Sequence, residues 1–142
     1  MIVQIHYENT EILELDPEFF VSWLSQVATM EKKKLGELNL IFCSDDYLLE
    51  INQEHLDHDY YTDIITFDYT QGEVLSGDLF ISIDRVKDNA KSFEVETKEE
   101  ILRVVVHGFL HLAGYEDKTE NKEKEMRLKE DTYLKIVPRG TL

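Results

Sequence analysis

Apolar and polar residues alternate through IVQIHYE at the start of the chain, a pattern that predicts a first strand. From Pro17 the period changes. PEFFVSWLSQVATMEKK recurs at helical spacing, with the proline in the first turn, where its missing N–H leaves no bond unmade. Gly36 is expected to reset the chain before ELNLIFCS, whose leucine and isoleucine alternation predicts a second strand, and Ser44 or Asp45 is expected to cap a helix through DYLLEINQEHL. The polar HLDHDYYTD gives way to IITFDY, rich in β-branched and aromatic residues, and TQGEVLSGD reads as a turn-rich connection to LFISI. These two strands should pair antiparallel. Asp84 is the expected cap of RVKDNAKSF, and Thr97 to Glu100 has the form of a capping box for a helix ending near Ala113. Thr119 opens a final helix, with Met126, Tyr133 and Leu134 as its buried side. The order predicts an α+β fold: a small mixed sheet of about four strands packed with several helices, its strand order left open.

Composition changes this picture little. The chain has 142 residues, 42% hydrophobic and 11% aromatic, which fits a single domain over 1–142. The opening residues lack a basic then apolar leader, and no apolar run approaches the roughly 18 residues of a membrane span, so a cytoplasmic protein with no membrane partner is expected. The lone Cys43, inside LNLIFCS, reads as a small buried hydrophobe. A net charge of -15 weighs against a broad electrostatic footprint for nucleic acid. Local positive charge remains available from a bound cation and from the groups EKKK near Lys33 and Arg85, Lys87 and Lys91.

The helix expected from Ile101 to Ala113 is almost wholly apolar, and its exceptions share one face. Arg103, His107 and His111 recur every four residues and form a stripe that must line a cleft. Two neutral imidazoles one turn apart can converge on one cation. Gly114 permits a left-handed helix end, which would return Asp117 toward both rings. Two nitrogens and a carboxylate make three ligands and leave a tetrahedral Zn²⁺ one position for a reactive metal-bound water. Mn²⁺ or Mg²⁺ becomes more competitive with oxygen ligation. The spacing also matches the protease signature HExxHxxGxxH, except that Gly108 stands where the protease needs its glutamate base, so a metalloprotease-like hydrolase is a lesser alternative.

HGFLHLAGYED resembles the HGxLHLxGYDH signature of the YbeY family, metal-dependent endoribonucleases of ribosomal RNA maturation and ribosome quality control. Ile51, Asn52 and the segment Thr62 to Phe67 resemble that family's LN and TDVLSF, and Gly77, Asp78 and Leu79 its GDI strand entry. The resemblance implies a zinc site in a cleft lined by a central helix, single-stranded RNA as substrate, and ribosomal RNA and the small ribosomal subunit as partners. Two positions depart from the pattern. The family's third ligating histidine falls on Asp117, and an arginine assigned to catalysis falls on Leu56. The metal ligands are therefore expected to be His107, His111 and Asp117. His58 is a candidate cation in place of the arginine, and Asp63, Asp78 and Glu116 are candidates for general base or for orienting a ligating histidine. The run TENKEKEMRLKED is expected to be a solvated helix face. The alternative in a different class is a ribosome-associated metal-binding protein with weak or lost catalysis.

Overall fold

A computed structural model of the chain describes residues 2–56 and 62–138. The element order is β1 (Val3–Glu8), α1 (Pro17–Met30), β2 (Lys34–Cys43), α2 (Asp45–Leu56), β3 (Ile64–Asp68), β4 (Val74–Ser82), α3 (Ile83–Ser92), α4 (Thr97–Leu112) and α5 (Glu120–Leu134). The strands form one mixed α+β sheet in the order β1-β2-β4-β3. β1, β2 and β4 run parallel, and β3 pairs antiparallel with β4, Ile64 opposite Ile81 and Asp68 opposite Gly77. Among the described residues no helix is long and apolar enough to cross a membrane.

Strand alternation divides the apolar residues between two faces. Leu38, Leu40 and Phe42 of β2 and Leu79 and Ile81 of β4 join Phe20, Trp23 and Leu24 of α1 and Val105, Val106 and Phe109 of α4 in the main core. On the opposite face Cys43 and Ile65 pack with Leu48 and Ile51 of α2, beside Phe67 and Phe80. The buried Cys43 thiol is pushed up to about 12, by burial first and then by Asp84, Asp45 and Glu8, which leaves it unreactive.

Several local expectations are corrected by packing. Gly36 does not precede β2 but lies within it, where the β2–β4 register shifts between Leu35 and Leu38. A Cβ there would sit 2.2 Å from Ser76 Oγ, so the glycine answers to close strand approach. The N-cap of α3 is Ser82, whose Oγ accepts from Arg85 N at 3.2 Å. Asp84 instead accepts from Asp45 N at 2.8 Å, satisfying the first N–H of α2. Thr97 does begin α4, but its cap position is Glu96, with no side-chain cap bond, and Glu100 is buried rather than turned back as half of a capping box. The final helix, expected from Thr119, begins at Glu120, and Thr119 is its cap, accepting from Lys122 N.

Candidate metal centre

α4 lies against β3 and β4, and Gly108 makes that approach possible. A Cβ at this position would fall 2.7 Å from Ile64 Cδ1 and 3.1 Å from both methyls of Leu79. With Gly108 against the sheet, the stripe one residue earlier faces out: Arg103 and His107 line one recess, His107 and His111 another.

The end of α4 is closed by two reciprocal backbone bonds, Tyr115 N to Leu110 O at 3.0 Å and Gly114 N to His111 O at 3.0 Å, the Schellman arrangement. Gly114 has φ 104°, outside the range an L-residue adopts readily. The same turn places the Tyr115 carbonyl 2.9 Å from His111 Nδ1. A carbonyl only accepts, so Nδ1 carries the proton and His111 Nε2 presents a lone pair. Across the cleft, His107 Nδ1 lies 2.7 Å from Glu130 Oε2, which directs its Nε2 inward in the same way.

The two Nε2 atoms are 3.1 Å apart, and Asp117 Oδ2 lies 3.3 Å from that of His107 and 3.5 Å from that of His111. Tetrahedral ligation with bonds of about 2.0–2.1 Å places donor atoms about 3.3–3.4 Å apart, so this triangle has the dimensions of one face of such a site. Facing lone pairs and an anionic oxygen at these separations repel unless a proton or a cation lies among them. The donor set therefore fits a divalent metal, and His107, His111 and Asp117 are the group able to hold one among the described residues.

The surrounding charges are arranged in pairs. Arg103 donates to Glu130 Oε1 and to Asp131 Oδ1, both at 2.7 Å. Burial alone would raise the Glu130 carboxyl and lower His107. Their mutual bond, with Arg103 on one side and Asp117 and Asp63 on the other, outweighs it, so Glu130 lies below and His107 above its ordinary pKa. Asp63, at the start of β3, lines both recesses beside His107, and burial raises its carboxyl despite the opposing charge of His107. Glu100, 4% exposed, is raised by burial and by Asp63.

The other candidates lie elsewhere. Glu116 is exposed and pairs with Lys122, beside a separate recess of Glu31 and Tyr115. Asp78 accepts from Asn39 Nδ2 at 2.9 Å and from Tyr69 OH at 3.2 Å, tying strands together. His58 lies outside the described residues, and Leu56 is the last residue of α2. Three of the grouped basic residues are engaged: Arg85 with Asp45 at 3.1 Å, Lys33 with Glu73 at 2.9 Å, Lys87 with Glu11.

Glu130 is the residue that sequence reasoning missed. It lies within the run expected to be solvated, yet it is 5% exposed. Its signal was spacing: Met126, Glu130 and Tyr133 share one helical face, and both neighbours were already assigned to the interior. A second unforeseen group pins the turn after α4. Glu31, at the end of α1, accepts from Tyr115 OH at 2.6 Å, from Lys129 Nζ at 3.1 Å and from Tyr133 OH. These bonds overcome burial and hold its carboxyl below the usual range.

The turn yields a direct test. Nothing lies within 4 Å of a Cβ at Gly114, so Gly114→Ala should act through the backbone alone, costing about 1–2 kcal/mol. Shifting the Tyr115 carbonyl should also weaken divalent-metal binding by about 10–100-fold. Thermal melts and competition against a chromophoric chelator check both effects. Wild-type values in both would mean that the turn does not position His111.

A family model described as Endoribonuclease YbeY matches residues 4–137. Proteins named Endoribonuclease YbeY are similar: that of Flavobacterium johnsoniae is 50% identical over 92% of this chain and 93% of its own, and that of Parabacteroides distasonis 43% over 97% of each. The solution structure of a Thermotoga maritima protein superposes with a TM-score of 0.63 at 27% identity, over 94% of this chain and 89% of its own.

Proposed function

The chain belongs to the endoribonuclease YbeY family, and on that premise we propose that it is a metal-dependent endoribonuclease cutting single-stranded RNA in ribosomal RNA maturation and ribosome quality control. In this reading it acts in the cytoplasm, as one domain over 1–142, on ribosomal RNA of the small subunit. The observation that carries the reading is the triangle of His107 Nε2, His111 Nε2 and Asp117 Oδ2 in an open cleft.

Those three residues would hold one divalent cation, Zn²⁺ first by donor type, with Mn²⁺ or Mg²⁺ favoured somewhat by the carboxylate. When bound, the cation supplies Lewis acidity toward a phosphodiester oxygen and lowers the pKa of water. The chain's own groups do the rest. Glu130 and the Tyr115 carbonyl keep both Nδ1 protons in place, so that the Nε2 lone pairs stay directed at the cation. Asp63, at the cleft wall with a carboxyl raised by burial, would take the proton from the RNA 2′-hydroxyl as its oxygen bonds to phosphorus, while the P–O bond to the 5′-oxygen breaks and that oxygen leaves with a proton from water.

The test uses the zinc-loaded protein and a labelled single-stranded RNA. Wild type is expected to cut it, chelator to stop the cutting, and a peptide substrate to stay intact. Asp63→Asn should keep full metal content and lose about 10²–10⁴-fold in kcat. An unchanged kcat would remove Asp63 from the reaction, and RNA left whole by the metal-loaded wild type would end the nuclease reading.

A further inference from the structure

The recess beside His107 does not end at the donor triangle. Its far wall is made by Phe93, Glu100, Arg103 and Arg127, and these four residues also wall a second recess of roughly 550 Å³ lined by Val95, Leu102, Leu134 and Val137, with Glu99 beside them. The second space is mainly apolar and of the size that takes small planar molecules. Phe93 stands 56% exposed at the junction and has no aromatic partner among the described residues.

Its position is built rather than loose. Phe93 is the C-cap of α3, and the chain beyond it is closed by Glu94 N to Lys91 O at 3.2 Å and Val95 N to Ala90 O at 3.0 Å. That closure is a Schellman turn with Glu94, φ 55°, in the left-handed position usually given to glycine. A hydrogen-bonded turn thus holds a large aromatic ring out toward solvent, where burial would ordinarily be favoured by about 1.5–3 kcal/mol.

Two polar groups at the same wall make no hydrogen bond or ion pair among the described residues. Glu100 is 4% exposed, lines both recesses, and makes no hydrogen bond or ion pair among the described residues, although the charges of Arg103 and Arg127 act on it. It leaves a hydrogen-bond acceptor for an N–H of whatever enters. Arg127 is exposed and, among the described residues, likewise makes no hydrogen bond or ion pair, unlike Arg103, which Glu130 and Asp131 engage. In a chain of net charge -15, an exposed guanidinium at the cleft mouth with no hydrogen-bonded carboxylate among the described residues is a place for an anion.

A ring face, an N–H acceptor and an exposed guanidinium beside one another match the three parts of a nucleotide: base plane, base edge and phosphate. We propose that the recess of Phe93, Val95, Leu102, Leu134 and Val137 takes one unpaired base of a single-stranded RNA, stacked on Phe93, with Arg127 holding an adjoining phosphate. This rests on the endoribonuclease reading and deepens it. Because this recess and that of His107 share a wall, the captured nucleotide lies a short distance along the strand from the bond to be cut. A base can enter only when it is unstacked, so the subsite selects single strands over duplex.

The experiment measures anisotropy of a fluorescein-labelled 2′-O-methyl RNA of about a dozen nucleotides, within the usual range of single-strand site sizes, on the zinc-loaded full chain. Phe93→Ala should keep the wild-type melting temperature and weaken binding about 5- to 100-fold, and Phe93→Tyr should restore it. Arg127→Ala should weaken binding and flatten its dependence on salt. One abasic nucleotide, moved along the probe, should cost wild type the same factor at a single position and cost Phe93→Ala nothing further. In cleavage of the ordinary RNA, Phe93→Ala should raise KM with kcat little changed.

Equal affinity of wild type and Phe93→Ala would overturn the proposal, as would an abasic penalty indifferent to Phe93. A change in self-association of Phe93→Ala with RNA affinity intact would assign the face to contacts between copies and overturn it too. If the wild type neither binds nor cuts RNA, the endoribonuclease reading fails and takes this one with it.

Discussion

His111→Ala is expected to leave a folded protein that no longer binds zinc measurably and cuts single-stranded RNA at least about 10²–10³-fold more slowly. The fold should survive because His111 is only part-buried, its side chain 26% exposed, and alanine suits a helix interior. Metal binding should not, since two donors remain where three converged. Losing even a group that only orients a ligand costs about 10–100-fold in affinity, and losing the ligand should exceed that. The cleanest reading is thermal: a metal held at 100 times its Kd stabilises the folded state by about 2.7 kcal/mol. Zinc should therefore raise the melting temperature of the wild type and leave that of His111→Ala where it was. Equal zinc-dependent shifts in the two proteins would show that the cation sits elsewhere.

Gly108→Glu is expected not to fold. This change completes the protease signature on paper, but its Cβ would meet Ile64 and Leu79 of the sheet, and the carboxylate would enter the main core without a partner. An uncompensated buried charge costs about 3–5 kcal/mol or more, against a typical total stability of about 5–15 kcal/mol. Gly108→Ala separates the two causes. It adds only a methyl, and overpacking of about 1–3 kcal/mol is partly offset by about 1 kcal/mol of helix propensity. Soluble expression and melting curves check both, and a Gly108→Glu protein melting like wild type would refute the packing argument. In proteases the corresponding glutamate must face the metal, whereas here α4 presents this position to the sheet.

The parts of the structure that were legible are those written in short-range periodicity. The stripe of Arg103, His107 and His111 needed only the helical repeat, and the return of Asp117 needed only a glycine at the right distance. The antiparallel pairing of β3 with β4 followed from their short connection. The insertion of β4 between β2 and β3 did not, because strand order depends on contacts between residues far apart in sequence. Caps failed for a related reason: Asp84 is a sound cap residue by type, but the nearby start of α2 claims its carboxylate. Glu130 was hidden by composition, since acidic residues surround it and only the face it shares with Met126 and Tyr133 marks it as interior.

The position of Glu130 has a consequence for the order in which the protein comes apart. α5 contributes few apolar side chains to the core, chiefly Met126 and Tyr133, and is fastened largely by charged ties: Glu130 to His107 and Arg103, Asp131 to Arg103, Lys129 to Glu31. The bonds that dock this helix are thus also those that aim His107, and through Glu31 and Tyr115 they reach His111. A partial opening in which α5 lifts away while the sheet and α4 stay folded would strip the donor triangle of its orientation. Inactivation by heat would then run ahead of global unfolding, the last helix acting as the fuse.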